Sequence, residues 1–112
     1  MSNSNSIFVN KNNLECHRSW INDIEILSDT KVATVSEDNT IKIWDFNLNS
    51  CIRTIKSHTE SVRSIIKIPN STEILTTSWD ETIKCHDFEN FEMKYELKDD
   101  EELGPMLFLK QN

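Results

Sequence analysis

The chain has 112 residues but only one glycine, Gly104, and two prolines. Tight turns therefore cannot rest on glycine and must use Asn, Asp and Ser, which also tolerate unusual backbone angles. Long hydrophobic runs are missing as well. No stretch approaches the roughly 18 apolar residues of a membrane-spanning helix. The opening Met-Ser-Asn-Ser-Asn-Ser has neither a basic nor an apolar region, so no signal peptide is expected. Basic residues are in deficit: 12 Lys and Arg face 19 Asp and Glu, giving a net charge of −7. That balance argues against binding nucleic acid, where clustered Lys and Arg supply the affinity. It equally argues against docking on an anionic membrane. The three cysteines, Cys16, Cys51 and Cys85, are odd in number and widely spaced. They read as reduced thiols of a cytoplasmic or nuclear protein, not as a disulfide framework. Neighbouring residues on a strand point to opposite faces, and no Cys-x-x-Cys spacing exists. Cys16-His17 and Cys85-His86 therefore do not read as a metal site, and no cofactor is expected.

What the chain does have is a repeat. Ser36–Phe46 reads S-E-D-N-T-I-K-I-W-D-F, and further on Ser78–Phe88 reads S-W-D-E-T-I-K-C-H-D-F. Seven of the eleven positions are identical. The same spacing, to within one position, separates His17 from His58 and Ile21 from Val62. Between these markers lie short segments rich in Ile, Val and Thr, bounded by polar turns. The first unit gives strands over Trp20–Leu27, Val32–Ser36, Thr40–Asp45 and Cys51–Lys56. The second gives Val62–Ile68, Glu73–Ser78, Thr82–Asp87 and Phe91–Leu97. Strands of this length and spacing predict an antiparallel all-β fold. Leu14–Cys16 and Leu103–Leu109 fall where flanking units would place strands. The predicted layout is a weakly ordered segment over 1–13, one unit over 14–57 and a second over 58–98. An acidic loop and the first strand of an incomplete third unit occupy 99–112.

A period of about 41–42 residues, a His near its start and Trp44-Asp45 closing the third strand resemble the WD-repeat β-propeller family. The resemblance runs from Cys16-His17 through Trp44-Asp45 and from Ser57-His58 through His86-Asp87. It implies two four-stranded blades of an incomplete propeller. It also implies a buried hydrogen-bond network in each blade: His17, Ser36, Asp38 and Trp44 in the first, and His58, Ser78, Asp80 and His86 in the second. Such residues are structural. His17, Ser36 and Asp38 do contain the elements of a Ser-His-Asp triad, but their recurrence suits a repeated bond and not a reaction centre. Departures from the family pattern are Cys16 and Ser57 where a glycine usually precedes the His, and His86 in place of the Trp. The second network is accordingly expected to be the weaker.

By the same resemblance, the exposed upper face carries Arg18, Trp20 and Glu37 from the first blade and Thr59, Ser61 and Trp79 from the second. Aromatics and Arg are common interface anchors. The function implied is a non-enzymatic scaffold or adaptor that binds peptides or proteins there. Propellers of this kind close with about four to eight blades, so two cannot close. The alternative reading is a vestigial or fragmentary propeller piece with no ligand of its own, which self-assembles as a homo-oligomer to complete a ring.

Overall fold

The computed structural model of the chain describes residues 16–98. The segments expected over 1–13 and 99–112 lie outside the described residues, as does most of the strand expected at Leu14–Cys16; Cys16 itself sits in a bend.

Eight strands form two antiparallel sheets of four. The first sheet holds β1 (Ile21–Ile26), β2 (Lys31–Ser36), β3 (Ile41–Asp45) and β4 (Ser50–Ile55), in that order. The second holds β5 (Val62–Lys67), β6 (Glu73–Ser78), β7 (Thr82–Asp87) and β8 (Met93–Lys98), likewise in sequence order. Each sheet is a meander, the simplest arrangement for strands joined by short turns. The registers repeat too: Val32 pairs with Trp44 as Ile74 pairs with His86, and beside that residue both fourth strands carry a bulge, at Ile52 and at Lys94.

The near absence of glycine is met as the composition requires. Left-handed backbone occurs at Asn39, Asn49 and Asn70, and asparagine is the non-glycine residue that tolerates it best. In the second sheet the positions matching Asn39 and Asn49 are Glu81 and Phe91, also at positive φ. Such residues carry a strain of about 1 kcal/mol or more. Phe91 offsets it by packing against the main core and under the Arg53 guanidinium.

Alternation along the strands sends one face of the first sheet onto the second. Ala33, Val35, Ile41, Ile43 and Ile55 form one core with Val62, Ile65, Ile74 and Phe88. Polar side chains of β1 reinforce this joint. Asn22 donates to the Val62 carbonyl at 2.8 Å, Asp23 accepts from the Ile65 amide at 3.0 Å, and Glu25 accepts from the Lys67 amide at 2.8 Å. β5 is the edge of its sheet, so these contacts satisfy backbone groups that lack a strand partner.

Candidate protein-interaction site

Behind the turn that ends β2, and again behind the one that ends β6, lies a buried polar network. In the first sheet Asp38 is its hub. It accepts from His17 Nδ1 at 3.0 Å, the Arg18 amide at 2.8 Å, the Thr40 amide at 3.0 Å and the Thr40 hydroxyl at 2.6 Å. With Nδ1 protonated toward the carboxylate, His17 Nε2 is an acceptor and takes the Thr34 hydroxyl at 2.6 Å. Thr34 in turn accepts from the fully buried Trp44 indole at 2.9 Å. Burial alone raises the Asp38 pKa. The hydrogen bonds from His17, Thr40 and the Arg18 amide outweigh it and hold the carboxyl far below the usual range.

The second sheet repeats the hub. Asp80 accepts from His58 Nδ1 at 2.9 Å, the Thr59 amide at 3.1 Å, and the Thr82 amide and hydroxyl at 3.0 and 2.6 Å. Burial opposes ionisation, yet the Thr82, His58 and Thr59 bonds bring the Asp80 carboxyl down to about 2. Burial lowers the His58 pKa, against the opposing pull of Asp80. His58 Nε2 meets the Thr76 hydroxyl at 2.8 Å.

Two features differ from the sequence reading. The hydroxyl facing the imidazole belongs to Thr34 and Thr76, not to Ser36 and Ser78. Side chains two apart share a strand face, and the threonine lies one rung deeper, beside the ring. Ser36 and Ser78 sit at the strand ends and accept the Asp38 and Asp80 amides at 3.0 and 2.9 Å, fixing the turn. The second difference is His86. It occupies the position of Trp44 and is 1 % exposed, but neither ring nitrogen has a hydrogen-bond partner. The imidazole is too short to reach Thr76 as the indole reaches Thr34. Burial, then the nearby His58 and Lys84 charges, lower its pKa to about 4.

The upper-face residues gather at one end of both sheets, where β1 and β5 begin and β2 and β6 end. Trp20 is 80 % exposed and Trp79 60 %. Arg18 and Thr59 are exposed, and Glu37 is half-buried. Ser61 is buried at 6 % and accepts from Asn22 and Arg63, so it supports the surface and does not present itself on it. Sequence reasoning missed Arg63. Its guanidinium lies 4.3 Å from the Trp79 ring centroid and donates to Glu37 Oε2 at 2.6 Å. This single side chain ties Glu37 of the first sheet to Trp79 of the second. Among the described residues, no group of three or more His, Cys, Asp or Glu side chains is placed to hold a metal ion. No helix among them is long and apolar enough to cross a membrane.

Two four-stranded antiparallel meanders packed face on face, each with a His-Asp hub, define an open, incomplete β-propeller. The chain belongs to the WD-repeat family: the model for "WD domain, G-beta repeat" matches residues 8–45 and 49–87. Among curated proteins it is similar to a probable E3 ubiquitin ligase complex SCF subunit, sconB, of Talaromyces stipitatus. The two are 35% identical over 57 residues, which is 50% of this chain and 8% of that protein. It is also similar to the nuclear distribution protein PAC1 of Arthroderma benhamiae, at 50% identity over 52 residues, or 44% of this chain and 11% of that one. The chain thus spans only a small part of these relatives. Solved structures of U3-55K and of the RRP9 WD40 repeats superpose with a TM-score of 0.71 at 20% identity. Each covers 77% of this chain, which matches 27% and 26% of theirs, and they establish the fold.

Proposed function

We propose that this chain is a protein-interaction module of scaffold or adaptor type, acting in the cytoplasm or nucleus without catalysis of its own. Its partners are peptides or proteins held on the upper face by Trp20, Trp79, Arg18, Glu37 and Thr59. The observation that carries the reading is the Glu37–Arg63–Trp79 arrangement. It holds a large aromatic in the open, stacked and oriented before any partner arrives, which lowers the ordering cost of binding. WD-repeat relatives named as an SCF complex subunit and a nuclear distribution protein support a role in assembly.

The test is the double change Trp20→Ala with Trp79→Ala. Both side chains are exposed, so the melting temperature is expected to hold while capture of partner proteins is lost. Capture of the same partners by the double variant sinks the assignment.

Exposed Ile24, Ile26, Met93, Tyr95 and Leu97 favour a second feature of the same reading. Two sheets do not close a propeller, and these open faces suit coverage by further blades, from other copies or from a longer chain.

A further inference from the structure

A groove of about 670 Å³ opens on the outer edge of the two sheets, at the opposite strand edge from β1 and β5. One wall is β4 with the residues that follow it, from Cys51 to Ser57; the other is made by His86, Phe91 and Met93. Three observations bear on its occupant. First, β4 is an edge strand, and an edge strand offers a row of backbone donors and acceptors to an incoming strand. Second, the lining contains Arg53 and Lys56 but no Asp or Glu, in a chain of net charge −7. Third, Ser57 and His86 are among the lining residues, and Ser57 Oγ and both His86 ring nitrogens are buried atoms, closed to solvent and without a hydrogen-bond partner. Buried groups of this kind are rare in folded proteins, because each costs about 1–3 kcal/mol.

The repeat explains how the site arises. In the first sheet the matching position is Trp44, whose indole is enclosed with Val32 and Cys51 and bonded to Thr34. In the second, the shorter imidazole leaves the floor of the joint polar and unsatisfied. Both walls belong to this chain, so the groove does not depend on which further blades flank it.

We infer that this groove binds an extended acidic peptide segment by strand addition along β4, with a hydrogen-bonding side chain of the peptide seated on Ser57 and His86. The backbone of the peptide pairs with the free edge of β4, and its carboxylates face Lys56 and Arg53. A neutral imidazole supplies one donor and one acceptor, and the Ser57 hydroxyl supplies both. A side chain such as a carboxamide, hydroxyl or carboxylic group therefore meets partners that the fold leaves unused. This surface is separate from the one under Trp20 and Trp79, and stands or falls independently of it.

The experiment pans a phage-displayed random peptide library on the full chain and resynthesises the enriched sequences for affinity and NMR measurements. The expected result is enrichment of acidic, β-branched peptides that shift the β4 amides and the His86 ring. Their affinity should fall about tenfold with Lys56→Glu and be lost with His86→Trp, which fills the floor, while Trp20→Ala with Trp79→Ala leaves it unchanged. Lys56 is exposed, so that variant keeps the test decisive even where His86→Trp perturbs folding. Failure to enrich acidic sequences overturns the proposal. So does a set of peptides indifferent to Lys56→Glu but lost with the tryptophan pair. Titration with indole is the remaining arm: His86 shifts with indole, without any peptide response, reassign the groove to small heteroaromatic ligands.

Discussion

At the residue scale the two sheets are a matched experiment. Trp44 and His86 hold the same register position, and only the indole completes its network. The consequence for His86 is a pH dependence with a definite sign. Its pKa lies near 4 in the fold against 6.5 for a free side chain. As pH falls through this interval the unfolded chain takes up the proton first, so stability drops with acid between about 6.5 and 4 and levels below. The loss is on the order of 3 kcal/mol. His58, lowered by burial as well, adds to the loss in the same direction. Asp80, depressed to about 2, loses its own contribution mainly below the ordinary carboxylate value of 3.8, touching only the acid end of this window. Urea denaturation of wild type and His86→Phe across this range checks the point. The variant is expected to show a markedly shallower loss; parallel profiles exclude His86 as the source. The hub pairs His17–Asp38 and His58–Asp80 are legible in the sequence because they recur at a near-constant spacing. The threonines are not. Thr34 and Ser36 recur together as Thr76 and Ser78 and share a face, so the repeat alone cannot choose between them. Arg63 leaves no repeat signal at all, because its counterpart in the first unit is Asn22.

At the element scale the joint between the sheets rests on more than apolar burial. Asp23 and Glu25 alternate with Ile24 and Ile26 on β1, so both point at β5 and cap two of its amides, Ile65 and Lys67. A carboxylate accepting a backbone N–H is a charge-assisted bond, stronger than a neutral one. Changing both residues to Ala is expected to cost about 2 kcal/mol in total and to speed hydrogen exchange at the Ile65 and Lys67 amides, with the amides of β7 much less affected. Unaltered exchange at those two positions means the caps do not hold the joint. The strands themselves were readable to within a residue or two, since alternation and polar turns mark each one. What the pattern does not carry is this side-chain-to-backbone stitching, which needs the relative placement of the two sheets before it can be seen.

At the scale of the whole molecule the same caps bear on how the open faces are covered. A ring made from copies of this chain requires its second sheet to grip β1 of the next copy as its first sheet grips β5. The second-unit positions matching Asp23 and Glu25 are Ser64 and Ile66. The Ile66 side chain has no acceptor, and the Ser64 hydroxyl is engaged with Thr77 at 2.6 Å. Ile24 and Ile26 hold the places in the first unit that Ile65 and Lys67 hold in the second. The Ile24 amide already donates to its own neighbour Asp23 at 2.9 Å, so a joint between copies gives it no new partner and brings no carboxylate to the Ile26 amide. A pairing between unlike blades avoids this defect, provided the preceding blade brings its own acceptors. The purified chain is therefore expected to associate through its exposed apolar faces without reaching a closed ring. Light scattering across a range of concentrations should give a mass that climbs continuously, with stability rising alongside it because folding and association are linked. A discrete trimer or tetramer, carrying six or eight blades, is the contrary outcome. It would mean that a joint without the two carboxylates is strong enough to close a propeller.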